Sequence, residues 1–76
     1  MLNRRVAPLF ADRCLTCTED GNKLFLKALD FATKQGYRLK VIRTDYSKDD
    51  RAVADGYNIK QPFMVINNKG VNLYEI

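Results

Sequence analysis

The sequence has no histidine and no tryptophan, and it has only two cysteines and two prolines among its 76 residues. A structural zinc site needs four ligands, mostly Cys and His, so we expect no metal site within one chain. A site shared between two copies is the remaining metal hypothesis. A disulfide between Cys14 and Cys17 would close only a very short loop, which is an inefficient use of the pair as a purely structural link.

Long apolar runs are also missing. No stretch approaches the roughly 20 residues needed to cross a bilayer, so we expect no membrane partner. The first 11 residues are basic and then briefly apolar, and Pro8 interrupts the apolar part. This pattern is too short and irregular for a signal peptide, which predicts a cytoplasmic location.

Acidic residues are fewer than basic ones, nine against 13, giving a net charge of +4. The basic residues are spread along the chain, and nucleic-acid binders usually concentrate them in a patch, so nucleic-acid binding is disfavoured. A basic surface can still steer an acidic partner or an anionic thiol toward a site. The hydrophobic fraction of 46%, with four Tyr and four Phe, predicts a folded single domain over 1–76.

Hydrophobic periodicity predicts six elements in the order β-α-β-α-β-β. Thr16 and Glu19 fit a capping box for the first helix, with Cys14 as the alternative cap, and Gly36 fits its C-terminal stop. Ser47 or Asp49 fits the cap of the second helix. The expected spans are strands at 5–11, 37–44, 63–66 and 71–76, a helix ending near Gln35, a short helix ending near Gly56, and a hairpin turn at 67–70.

Apolar side chains give each predicted helix one main buried face. The sets are Leu24, Phe25, Ala28, Leu29 and Ala32 in the first helix, and Ala52, Val53 and Tyr57 at the second. Leu26 and Phe31 lie off this face of the first helix, and a helix covered on more than one side is the alternative. The first βαβ half implies parallel strands with a right-handed crossover, and the second half ends in an antiparallel hairpin. The expected fold class is therefore α/β with a mixed four-stranded sheet.

The Cys14-Leu15-Thr16-Cys17 segment falls at the junction between the first strand and the first helix. Thiolates attack disulfides, and a helix N-terminus stabilises their negative charge. Together with Arg13, this placement predicts that Cys14 is the exposed attacker, with a pKa below the ~8.5 of a free cysteine. Cys17 would lie one turn deeper and resolve the mixed disulfide. The alternative is that the two cysteines merely pack.

Pro62 directly precedes the apolar strand at 63–66. It is either an ordinary proline at the start of a strand or the second residue of a cis Gln61–Pro62 bond, since cis X–Pro bonds usually mark tight turns. A cis bond there would face the Cys14 sulfur. It would leave the backbone of Gln61 free to pair with an extended substrate.

The second half of the chain contains a recognisable series of residues. It runs from Asp45 through Ala54 and includes above all Tyr57-Asn58-Ile59-Lys60-Gln61-Pro62, with the strand and the Asn67-Asn68-Lys69-Gly70 turn that follow. This series resembles the second half of thioredoxins and glutaredoxins. Together with the cysteine pair, the resemblance covers about residues 5–76. It implies a minimal thioredoxin-like fold whose final helix is absent, and disulfide reduction with Cys14 as nucleophile, Cys17 as resolver and Pro62 as the cis proline.

The substrate implied by the resemblance is a disulfide-containing protein or small molecule, contacted by Arg13, Gln61 and Pro62. Glutathione or a reductase would supply electrons, and no cofactor would be bound. The chain departs from the common members in its Cys-Leu-Thr-Cys sequence, in Gln61, and in lacking the Gly-Gly and Asp elements with which glutaredoxins bind glutathione. These departures favour one alternative, a non-enzymatic module of the same fold that grips a partner protein.

Overall fold

Alternating and continuous apolar segments form the first three strands in the places where the sequence predicts them, whereas the fourth starts earlier, at Lys69. A computed structural model describes residues 5–76, and the predicted order β-α-β-α-β-β is confirmed. The elements are β1 (Arg5–Ala11), a 3₁₀ turn (Leu15–Cys17), α1 (Glu19–Lys34), β2 (Tyr37–Arg43), α2 (Lys48–Asp55), β3 (Phe63–Ile66), β4 (Lys69–Asn72) and a second 3₁₀ turn (Leu73–Glu75).

The four strands form one open, mixed sheet in the order β2-β1-β3-β4. β1 runs parallel to β2, and β3 runs antiparallel to both β1 and β4. The βαβ half and the hairpin half therefore share β1 and β3 as the central strands. This is an α/β fold with two helices and a mixed four-stranded sheet, as the pattern predicts.

Alternation along β1 divides the core into two layers. Leu9 and its neighbours Ala7 and Ala11 are buried on the α1 side, where they meet Ala28 and Ala32 of that helix. Phe10 points to the other side and packs with Phe63, Val65 and Ala54 of α2. β3 is buried on both faces, because it lies between β1 and β4 with a cluster on each side.

The start of α1 differs from the predicted capping box. Thr18 is the N-cap, and its hydroxyl accepts a hydrogen bond from the Gly21 amide at 3.0 Å. Thr16 lies inside the preceding 3₁₀ turn instead. Seven residues, 12–18, separate β1 from the helix and include the 3₁₀ turn, so the helix begins later than the Thr16–Glu19 spacing predicts. The predicted stop is confirmed, with Gly36 at φ +83° directly after the helix.

One residue of each predicted helix face, Leu29 in α1 and Val53 in α2, is exposed rather than buried. Leu29 of α1 is 39% exposed, and Phe31 packs against the core in its place. In α2, Ala54 is buried, whereas Val53 is exposed. The N-cap of α2 is Ser47, which accepts from the Asp50 amide.

The hairpin is confirmed, but the last strand ends early. Asn67 and Asn68 have φ of 54° and 64°, which asparagine tolerates in a tight hairpin turn. β4 stops at Asn72, whose side chain accepts a hydrogen bond from the Tyr74 amide at 2.8 Å and starts the second 3₁₀ turn. Leu73 is then fully buried in the α1-side core. The predicted strand over 71–76 is therefore wrong beyond Asn72.

None of the helices formed by residues 5–76 is long and apolar enough to cross a membrane.

Candidate functional site

The cysteine pair occupies the tight turn between β1 and α1. Cys14 precedes the 3₁₀ turn and Cys17 ends it, with Cα atoms 5.4 Å apart and the two sulfurs joined in a disulfide. The Cys17 amide donates to the Cys14 carbonyl at 3.3 Å, so the backbone itself brings the two residues together. We call residues 14–17 the cysteine turn.

The relative exposure of the two cysteines is the reverse of the prediction. Cys17 is exposed, whereas Cys14 is half-buried. The physical reason is the 3₁₀ turn: Cys17 ends that turn ahead of α1 and is not carried into a deeper helical turn. Leu15, rather than Cys17, is the residue of this turn that enters the core.

The helix N-terminus also lies farther from Cys14 than expected. α1 begins at Glu19, after the Thr18 cap, and its first turn carries Glu19 and Asp20. Acidic side chains in the first turn offset the positive end of the helix dipole. Two arginines lie in this region: Arg13 precedes Cys14 in the sequence, and Arg43 lines the same groove as Cys14.

Arg13 is held by a residue that the sequence did not single out. Its Nη2 atom donates to the Tyr74 hydroxyl oxygen at 2.7 Å, across a separation of 61 residues. Tyr74 belongs to the second 3₁₀ turn, so the C-terminal end of the described chain contacts the residue that directly precedes the cysteine turn. No local pattern signals this contact, because it depends on the register of β3 and β4.

Gln61 and Pro62 lie at the same end of the sheet as the cysteine turn. The pairing of Phe10 with Phe63 aligns Pro62 with the end of β1, and the Gln61–Pro62 bond is cis as predicted. Pro62 is fully buried. Within residues 5–76 the backbone N–H and C=O of Gln61 have no hydrogen-bond partner, which leaves both groups available to an extended segment.

Thr44 is a second site residue that the sequence did not single out. It is the one buried polar side chain among residues 5–76. Its amide donates to the Ala11 carbonyl at 2.9 Å, and its hydroxyl lies 2.6 Å from Gln61 Oε1. Thr44 therefore links the ends of β1 and β2 to the Gln61–Pro62 loop. A threonine at the end of a predicted strand carries no sign of this role.

A shallow groove of about 240 Å³ opens beside Cys14. Its lining consists of Cys14, Leu15, Thr16, Phe25, Val41 and Arg43. The Arg43 guanidinium donates to both carboxylate oxygens of Asp45, at 2.6 and 2.8 Å. These hydrogen bonds lower the pKa of Asp45 below its ordinary value and raise that of Arg43. The groove is thus mainly apolar, with a cation already paired at its rim.

Comparison of the chain with protein-family models, with curated proteins and with solved structures found no match. Across the described range, 5–76, no group of three or more His, Cys, Asp or Glu side chains is placed to hold a metal ion. The interpretation of the site therefore depends on the geometry and chemistry of its own residues.

Proposed function

We propose that this chain is a small thiol–disulfide oxidoreductase with a thioredoxin-like fold. The observation that carries the proposal is that Cys14 and Cys17 lie within disulfide-bonding distance on an accessible turn at the end of a central strand. The Gln61–Pro62 loop at the same end offers backbone groups to a substrate. These features support reduction of disulfides in a protein or a small molecule by dithiol exchange.

The proposed reaction starts from the reduced pair. The Cys14 thiolate attacks one sulfur of the substrate disulfide, the substrate S–S bond breaks, and the first substrate sulfur leaves as a thiolate that takes up a proton. The Cys17 thiol then loses its proton and attacks Cys14 Sγ in the mixed disulfide. The Cys14–Cys17 bond forms, and the second substrate thiol leaves. Two electrons and two protons pass to the substrate, and glutathione or a dithiol reductase restores the pair.

Cys14 is assigned as the attacker because of its surroundings. It lines the 240 Å³ groove, where a substrate disulfide can lie, and it directly follows Arg13. A nearby cation favours the thiolate over the thiol. Cys17 is the resolver in this scheme. Because Cys17 is exposed, its thiol can attack the mixed disulfide from the solvent side.

The test is a pair of trapping variants. Cys17→Ser is expected to accumulate mixed disulfides with an oxidised substrate, because the resolving thiol is gone. Cys14→Ser is the matched control and is expected to trap almost none. Dominant trapping by Cys14→Ser would reverse the two roles. If wild type fails to form the disulfide reversibly in a glutathione redox buffer, the proposed activity is wrong.

A non-enzymatic binding module remains the second candidate, favoured by one observation. Part of the sheet face opposite α1 lies outside the cluster that α2 covers, and it carries exposed Val6 beside Arg38 and Lys40. A double Cys14→Ser, Cys17→Ser variant separates the candidates. If the double variant still supports the function of the protein in cells, the binding module is favoured. If that function is lost, dithiol chemistry is favoured.

A further inference from the structure

Acidic residues are excluded from the sheet. The four strands contain five cations and no Asp or Glu, so all nine acidic residues lie in helices, turns and loops. The cations are Arg5, Arg38, Lys40, Arg43 and Lys69. Among residues 5–76 the ion pairs are Lys34–Asp30 and Arg43–Asp45. Arg38 and Lys40 therefore have no carboxylate partner within the described chain.

Arg38 and Lys40 lie on the part of the sheet that α2 leaves open. They pair in register with Val6 and Pro8, on the face where α2 covers only the Phe10 end. A depression of about 350 Å³ lies at the open end of this face. Its lining is Arg5, Val6, Pro8, Tyr37, Val65, Asn67 and Asn68, with no acidic residue. The open face thus carries exposed Val6 beside the exposed cations Arg38 and Lys40, and the depression at its end adds one further cation, Arg5.

β2 is also an edge strand of the sheet formed by residues 5–76; it is seven residues long, and within that range it pairs with β1 alone. The outer side of such a strand offers backbone N–H and C=O groups to an additional strand. At its carboxyl end, Val41 and Arg43 line the groove beside Cys14. Val41 and Arg43 pair with Leu9 and Ala11 on the α1 side, so an extended segment along this edge would reach the cysteine turn with the side chains that point away from the open face.

We propose that β2 and the adjoining open face bind an extended acidic segment of a partner protein, and that this segment leads the partner's disulfide to Cys14. Side chains on one face of a strand recur every two residues, about 7 Å apart. Carboxylates at alternate positions of the segment would therefore match Arg38 and Lys40. The docking step is independent of the proposed redox chemistry, and only the delivery of a disulfide depends on it.

The charges argue against two other occupants. A second copy pairing through its own β2 would bring Arg38 and Lys40 against the same cations, and like charges across strands are destabilising. A nucleic acid could neutralise the cations, but it cannot form the backbone hydrogen bonds that an edge strand offers a peptide. The acidic peptide uses both features of the surface.

The binding test uses the oxidised wild-type protein and a short fluorescent peptide of alternating Glu and Thr, without cysteine. Fluorescence anisotropy is expected to show saturable, salt-sensitive binding. The double variant Arg38→Glu, Lys40→Glu should bind about tenfold or more weakly, because two attractive pairs become repulsive. The matched control, Lys23→Glu with Lys27→Glu on exposed positions of α1, changes the net charge equally and should bind as wild type does.

Three outcomes would overturn the docking proposal. The first is an equal loss of peptide affinity in both double variants. The second is that a peptide with the same residues arranged as a Glu block and a Thr block binds as tightly as the alternating peptide. The third is that an oligothymidylate of the same charge binds more tightly than the alternating peptide. The delivery of a disulfide to Cys14 is tested separately, by measuring how fast the reduced protein reduces a cystine-linked version of each peptide. Faster reduction of the alternating peptide supports it. Binding without reduction would refute the oxidoreductase and leave the docking site standing.

Discussion

Gly21 shows how a single residue positions the cysteine turn. It is buried at the start of α1, and a Cβ added there would overlap the Leu15 carbonyl oxygen and lie 2.8 Å from Thr18 Oγ1. The absence of a side chain therefore lets α1 pack directly against the turn that carries the cysteines.

Replacing Gly21 by alanine is expected to destabilise the protein by about 1–3 kcal/mol, the usual cost of overpacking. An ordinary helical position would show the opposite sign. Gly56→Ala is the control, because a Cβ there meets nothing closer than the carbonyl oxygens of Val53 and Ala52, at 3.3 and 3.7 Å. Urea unfolding measures both variants. Stabilisation by Gly21→Ala would contradict the close packing of α1 on the cysteine turn.

Asp45 gives the protein a predictable response to acid. Hydrogen bonds from Arg43 lower the pKa of Asp45 in the folded state below its ordinary value of 3.8. The resulting stabilisation is present above that ordinary value and is lost as the pH falls through the lower folded pKa. Asp45→Asn should therefore lower Tm near neutral pH, and the difference from wild type should vanish on strong acidification. A difference that persists or grows in acid would contradict this coupling.

At the scale of elements, the capping residue of α1 is the sharpest disagreement between the sequence pattern and the structure. Thr16 and Thr18 are both suitable caps by type, and only the 3₁₀ turn at Leu15–Cys17 decides between them. Thr18→Ala should cost about 1 kcal/mol of stability, typical of a lost N-cap. Thr16→Ala is the control and should cost much less. A larger loss for Thr16→Ala would restore the capping-box interpretation.

Elements defined by local chemistry were predictable from the sequence. β1 at 5–11 and the Gly36 stop depend on side-chain alternation or on one residue's conformational preference. The pattern left Ser47 and Asp49 both open as the cap of α2, and the cap is Ser47. The exposure of Cys17 was not predictable, because it depends on whether the turn before α1 is 3₁₀ or α-helical. The contacts of Arg13 with Tyr74 and of Thr44 with Gln61 were also missed, since each joins segments far apart in sequence.

For the molecule as a whole, the C-terminal turn completes the α1-side core. Leu73 is fully buried with Leu9, Met64 and Ala28, and its amide donates to the Pro62 carbonyl at 3.2 Å. The turn thereby joins the end of β4 to the Gln61–Pro62 loop, while the adjacent Tyr74 holds Arg13. Stability and the geometry of the site are coupled through this segment.

Leu73→Ala is expected to lower the free energy of unfolding by about 2–5 kcal/mol, the usual range for a buried leucine. Val53→Ala is the control, because Val53 is an exposed aliphatic residue on α2. Thermal or urea unfolding measures both variants. If the two substitutions cost the same, Leu73 does not complete the core.

The absence of aspartate and glutamate from the four strands determines how the open face responds to pH. The four strands contain no aspartate, glutamate or histidine, the residue types whose ordinary titration ranges lie at or below neutral pH. Mild acidification therefore meets no group of these types in the strands, whereas the carboxylates of an acidic segment would lose their charge near about pH 4. Any pH sensitivity of the interaction would belong to the partner, so the same surface would serve equally in neutral and weakly acidic surroundings.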